Sequence, residues 1–339
     1  MANKNYKKNK IQNKKIQAPK PKQKKTNLGL WIVSFLILII IGLIIYGLLP
    51  DRHSKMSQGD FFTANRAIVQ CFKNPEFPQK FGYNPPYAID LKQDMENKGL
   101  KIIEANTGRI LKLPGWDSFG FLGLYTRDQF GNIYTSPVPY VSIDINPPGE
   151  QNKILRVDNA TGEMKEFVRL PSENPPTPAN PFGVIGLNFD CETNSLYATS
   201  VAGSSPKKET GKIFQIDPTN GKTKDTYDNF DALGIALFVG NDGKRAYLGS
   251  ARKPEIYSVG IDKEGGFEND LRFEFSLVDV PNGSFHKAHR IKIEDDIMIL
   301  KTREFSYTLI AASEVMRTEY KFRYNRNKGV WEFEGLIDE

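Results

Sequence analysis

The stretch that decides the fold is "FGVIGLNFDCETNSLYATS", residues 182–200, because a looser copy returns as "LGIALFVGNDGKRAYLGS" at 233–250. Each copy is an apolar strand, a polar turn and a second strand with a central aromatic. Weaker copies are "LYTRDQFGNIYTSP" (124–137) and "IKIEDDIMILKT" (291–302). Between them runs a second pattern, a strand ending near Asp, a Gly-bearing turn and another strand. It is seen in "NKILRVDNATGEMKEFVRL" (152–170), "GKIFQIDPTNGKTKDTYDNF" (211–230) and "PEIYSVGIDKEGGFENDLRFEF" (254–275), and more faintly at 100–113 and 320–334. Short alternating runs rich in Val, Ile, Tyr and Phe are strands. The D-x-x-x-G and N-D-G turns supply positive-φ residues and Asx hydrogen bonds for tight hairpins.

Each module is therefore about four antiparallel strands. The anchor positions fall at about 105, Asp158, Asp217, Asp262 and 324, a spacing of roughly 45–60 residues. Four strands per unit at that period read as a propeller blade, which must stack on its neighbours to bury its faces. Residues 61–339 have room for six blades of roughly 47 residues. Five repeats are visible, and a sixth is expected from residues 60–100; five blades is the alternative. The fold class expected is all-β, a six-bladed β-propeller behind one N-terminal transmembrane helix.

That helix comes from "LGLWIVSFLILIIIGLIIYGLL", residues 28–49, 22 residues without a charge. At about 1.5 Å per residue it matches the roughly 30 Å hydrocarbon core. Residues 1–25 hold ten lysines and no acid, so the positive-inside rule puts the N-terminus in the cytoplasm and the rest outside it, periplasmic or on the cell surface. A cleaved signal peptide fits worse, since no A-x-A site follows the long apolar run. The expected organisation is a disordered Lys-rich tail (1–27), a membrane span (28–49), a linker (50–60) and the propeller (61–339). The tail either touches anionic lipid headgroups or only sets topology.

The net charge of +6 belongs to this tail; the remainder has 36 basic and 40 acidic side chains, and no basic stripe argues for nucleic acid. Two cysteines, Cys71 and Cys191, are open to two readings: a disulfide, permitted outside the cytoplasm, or two buried apolar residues. A bridge would close about 120 residues and constrain the unfolded chain by roughly 4–5 kcal/mol.

Residues 233–270 resemble six-bladed propellers of the gluconolactonase and strictosidine-synthase-like superfamily, and 183–221 is similar also to NHL-type repeats. That superfamily includes membrane-anchored members with an outward-facing propeller. The resemblance implies a divalent cation on the axis held by Glu, Asn and Asp side chains. At the matching positions stand Leu233, Ser250 and Ala288-His289, so the enzymes' ligands are missing. No cofactor is expected, with Ca²⁺ the exception to be tested.

Two of the three histidines lie in "SFHKAHR", 284–290. His286 and His289 lack an evident third metal ligand and suit an axis- or face-lining role. Arg290 opens an inner strand. With Asn188 and Asp190 these are the axis or face binding candidates; no catalytic set is recognisable, and "TNGKT" (219–223) is a hairpin turn rather than a phosphate loop. Long Pro-rich or small-residue loops at 136–152, 171–183 and 200–212 would collect on one propeller face, where binding usually lives. The function expected is a membrane-tethered, extracytoplasmic, non-catalytic binding or scaffold module for a protein, peptide or glycan. The alternative is a divergent metal-dependent lactonase- or esterase-like hydrolase.

Overall fold

The structure is a computed structural model in which residues 72–92, 97–309 and 317–337 are described. The membrane span and lysine tail expected from the sequence lie outside the described residues. No helix among the described residues is long and apolar enough to cross a membrane.

Nineteen strands form five sheets, each a simple meander. Blade I holds β1 (Tyr87–Asp90), β2 (Lys101–Glu104) and β3 (Ile110–Leu111). Blade II holds β4 (Leu122–Arg127), β5 (Ile133–Pro137), β6 (Lys153–Val157) and β7 (Met164–Arg169). Blade III follows with β8 (Val184–Asp190), β9 (Ser195–Ser200), β10 (Lys212–Ile216) and β11 (Thr223–Asp228). Blade IV has β12 (Ala232–Gly240), β13 (Gly243–Ser250), β14 (Glu255–Gly260) and β15 (Arg272–Ser276), and blade V β16 (Lys287–Glu294), β17 (Ile297–Arg303), β18 (Arg317–Asn325) and β19 (Val330–Ile337).

The architecture is thus an all-β propeller with five blades, not six. The five repeats read in the sequence are the five blades, and long loops between strands account for the surplus length. Residues 72–86 supply only loop and one 3-10 turn, Phe77–Phe81, while Tyr87–Asp90, within the stretch 60–100 expected to give a sixth blade, forms β1 of the first. Its β2–β3 turn matches the third-to-fourth-strand turns of the others, so the axis-lining position of blade I is not filled by a described strand.

Successive blades are joined by four apolar clusters. Leu100, Ile102 and Trp116 meet Ile133 and Leu155 between I and II, and Tyr134 and Ile154 meet Phe189 and Phe214 between II and III. Ile213 meets Leu248 and Val259 between III and IV, and Phe238 and Ile256 meet Leu300, Phe322 and Trp331 between IV and V. β5 and β9 are buried at every position because both their faces pack.

The D-x-x-x-G turns do more than reverse the chain. Gly162 and Gly221, at φ 74° and 76°, donate their N–H groups back to Asp158 and Asp217. The next-door blade then reaches over: Trp116 Nε1 donates to Gly162 O (2.9 Å), Tyr134 Oη to Pro218 O (3.3 Å) and Tyr197 Oη to Gly265 O (2.6 Å). Tyr134 and Tyr197 are the central aromatics of the repeat and Trp116 opens the 3-10 turn before β4; all three are buried along their rings and satisfied at their polar tips. Tyr247 breaks the series. It lies edge-on to Trp331 at 5.7 Å, and its buried hydroxyl makes no hydrogen bond of ordinary geometry.

Cys191 is disulfide-bonded, and the sequence offers only Cys71 as its partner, a residue outside those described.

Replacing Tyr197 by Phe removes a made hydrogen bond and strands Gly265 O, and is expected to cost about 1–2 kcal/mol in a denaturant melt. Tyr247→Phe removes an unpaired hydroxyl and should be neutral or stabilising. Equal losses would refute the interlock.

Candidate functional site

One end of the axis gathers the starts of the first strands and the ends of the second. Leu122 pairs with Pro137, Val184 with Ser200, Ala232 with Ser250 and Lys287 with Arg303. The long loops emerge at this end. There Phe182, Ile185, Val201, Leu233, Ala251, Phe305 and Tyr307 form an apolar cluster. Tyr140, from the 138–152 loop, extends it, with ring centroids 5.3 Å from Phe182, which lies 5.2 Å from Phe305.

The inner strands carry a bulge at one level. Pairing slips between Val184 and Gly186, between Ala232 and Gly234 and between Ala288 and Arg290. The extra residue is Ile185, Leu233 or His289. A bulge re-aims the side chain it inserts, and Ile185 and Leu233 both turn into the mouth cluster. The residue just after the second strand's pairing is Val201 in blade III and Ala251 in blade IV, both buried; in blade V it is Arg303, after Thr302, which pairs with Ala288. Blade V thus sets His289 and Arg303 where its neighbours set Ile/Val and Leu/Ala.

Arg303 also lies opposite Lys287 on β16 and Arg317 on β18. Three cations therefore stand in one row across three strands, and Arg290 lies opposite Lys301 in the next row of that face. None of Lys287, Arg290, Arg303 or Arg317 forms an ion pair with a described carboxylate. Lys287 Nζ donates to Phe305 O (2.9 Å), Arg290 Nη2 to Gly123 O (2.9 Å), and the Arg303 guanidinium lies 4.3 Å from the Tyr140 ring centre. Arg303 Nε and His289 Nδ1 are buried without a hydrogen-bond partner. Burial, then the neighbouring Arg317, pulls Arg303 down to about 10. Burial, then Arg317, also lowers Arg290. Burial, followed by Arg290 and Arg317, takes His289 down to about 3, so it is neutral at pH 7. Arg290 and Arg317 nonetheless keep exposed surface.

A buried carboxylate braces the opposite rim. Asp231 accepts hydrogen bonds from Gly211 N (2.8 Å), Arg252 Nη1 (3.0 Å), Ser204 Oγ and Tyr307 Oη (2.5 Å each). Burial and the Asp231 charge push the Tyr307 phenol up. Every acceptor site of Asp231 is occupied, so this group is structural.

The other residues singled out in the sequence fall elsewhere. His286 precedes β16 and is buried, its Nδ1 2.9 Å from Tyr320 Oη, so it shares no site with His289. Asn188 lines the inner strand of blade III, with Nδ2 3.5 Å from Ile235 O. Asp190 accepts from Thr193 Oγ1 (2.7 Å) and pairs with Lys244 (2.8 Å), joining blades III and IV at the far end. The structure brings together His289 and Arg290 and adds Lys287, Arg303, Arg317 and Tyr140. Their signal was available only by aligning blades and noticing charges where the copies are apolar. Among the described residues no group of three His, Cys, Asp or Glu side chains is placed to hold a metal.

No family model matches the sequence, and no curated protein matches it. Among solved structures the chain is similar to a protein from Lactobacillus plantarum (12% identity over 74% of this chain and 67% of that one, TM-score 0.45). It is also similar to a calcium-binding protein, regucalcin, from Agrobacterium tumefaciens (11%, 79% and 74%, 0.44), and to a luciferin-regenerating enzyme (12%, 80% and 94%, 0.43). These likenesses are slight; the class, a five-bladed β-propeller, rests on the strand order itself.

His289 stays neutral in the fold but takes a proton at about pH 6.5 when unfolded. Its contribution is intact above that pH and is lost as pH falls toward 3, by at most about 1.4 kcal/mol per pH unit. His289→Leu, the residue blade IV uses, should flatten the stability profile between pH 7 and 5.5. An unchanged profile in urea titrations would contradict the buried neutral imidazole.

Asp231→Ala should cost about 1–3 kcal/mol, because it leaves the buried Tyr307 and Ser204 hydroxyls and the Gly211 N–H without their acceptor; no measurable loss in the same melt would refute the brace.

Proposed function

We propose that this chain is a membrane-tethered, extracytoplasmic β-propeller that works by binding, without catalysis, at its loop-bearing mouth. The observation that carries this reading is the mouth itself: an aromatic cluster bordered by cations that have no carboxylate partners among the described residues. Binding surfaces are enriched in such aromatic and Arg side chains. The tether rests on the apolar 28–49 segment and the lysines before it. At the positions where the resemblance would place metal ligands stand Leu233, Ser250, Ala288 and His289, which suit apolar packing and anion contact better than a hard cation.

The test is thermal unfolding of the full chain in detergent, after chelator treatment, with a panel of divalent cations. A melting temperature unmoved by any of them at micromolar levels is the expected result. A rise of several degrees with one cation would reveal a native-state metal site and move the chain to the metal-dependent hydrolase class.

A further inference from the structure

We propose that the row Lys287–Arg303–Arg317, with Arg290 and His289 beside it, is the receiving site for an acidic glycan. Its carboxylate or phosphate groups would lie among the guanidinium groups and a sugar ring against Tyr140. This rests on the reading of the mouth as a binding surface and names the chemistry that surface takes.

Three observations converge on an anion. First, the charges elsewhere on blade V are balanced: Lys292 pairs with Glu294, Lys301 with Glu319, and Lys321 and Arg323 with Glu334. The neighbouring row is all positive and pairs with no carboxylate among the described residues. Second, directly opposed like charges on adjacent strands are destabilising, so the row opposes folding unless something else occupies it. Third, the positions equivalent to His289 and Arg303 are Ile185 and Val201 in blade III and Leu233 and Ala251 in blade IV, so the fold has no need of polar or charged groups at those two places. Arginine's planar fork matches carboxylate and phosphate oxygens in pairs, and Arg303 Nε and His289 Nδ1 are two buried atoms still lacking partners. The neutral imidazole adds a donor or acceptor without further charge.

The glycan follows from spacing and surface. The three cations stand on adjacent strands whose backbones lie about 4.8 Å apart, a repeat comparable with one pyranose unit of an extended chain. Tyr140 is 38% exposed and has Arg303 against its ring, leaving apolar ring surface for the C–H face of a sugar. A peptide would want pockets for alternate side chains, and the row offers none.

The experiment uses the full chain in detergent micelles and fluorescence anisotropy with four labelled probes. These are oligogalacturonate, poly(glycerol phosphate), neutral dextran and poly-glutamate, each at low and high salt. One acidic glycan should bind, more weakly at high salt, and which one it is assigns the group as carboxylate or phosphate. Arg303→Gln and Arg317→Gln should each weaken that binding about tenfold or more. The melting temperature of the free protein should be unchanged or higher. Arg317→Glu, which supplies Arg303 with an internal anion, should raise it further and abolish binding. The proposal is overturned if none of the probes binds, or if poly-glutamate binds as tightly as the acidic glycan. It is equally overturned if the variants lose stability and keep affinity. Dextran binding that survives both Gln variants would overturn the acidic site yet leave the broader binding reading standing.

Discussion

A sheet with two apolar faces has no stable place in water, and that constraint organises this molecule. β5 and β9 are buried at every position, so neither belongs to a surface sheet packed on one side. Each must be held between two others. Packing alone is non-directional; the register between blades comes from the polar tips. Trp116, Tyr134 and Tyr197 each donate to a carbonyl in the next blade's turn. The turn must therefore be built correctly before its neighbour can dock, and the repeat keeps its own hairpin chemistry for that reason. Between IV and V the device changes to ring packing, with Phe238 and Trp331 5.1 Å apart and each within 5.0–6.1 Å of Tyr247 and Tyr324.

Crowding toward the axis explains the rest of the mouth. A Cβ on Gly249 would sit 2.1 Å from the carbonyl oxygen of Ala288 on the adjacent inner strand, and one on Gly234 3.1 Å from the His289 backbone. Backbones that approach this closely leave no room for side chains pointing sideways. The bulges relieve this by turning one residue per blade into the mouth. What stands at Ile185, Leu233 and His289 therefore decides whether that end of the axis is a dry plug or a polar recess. Two blades supply plug and one does not.

Much of the blade is legible in the sequence because its signals are local. The turn glycines, the strand alternation and the central aromatics all lie within about 20 residues of one another, so five copies can be counted from the residues alone. The error in blade number came from dividing length by period. Loops such as 138–152 and 171–183 consume residues without adding strands. The site was less legible, since Lys287, Arg303 and Arg317 are separated by loops and meet only through strand register. Arg290 is legible because it opens an inner strand, and His289 because it is one of two histidines three residues apart. Asp190, picked out as a binding candidate, is held by Lys244. Nothing local separates a carboxylate with a partner on another blade from one without.

Blade V shows what a departure from local consistency means in a fold this repetitive. Its outer face could have been left apolar or finished with alternating charges, and over three of its rows it is finished with ion pairs. Exposed pairs of that kind contribute little, about 0–1 kcal/mol each, so they mainly keep the face soluble. The row in which none of the cations pairs with a described carboxylate is the one at the mouth, next to Tyr140 and level with the bulge. A random excess of lysine and arginine would have no reason to concentrate there. Opposed like charges cost about as much as opposed unlike charges stabilise, and the same strands show unlike pairs one row away. Stability is given up in the row where the loops open and at Arg290 in the row beside it, which is the distribution a ligand site produces and a merely solvated face does not.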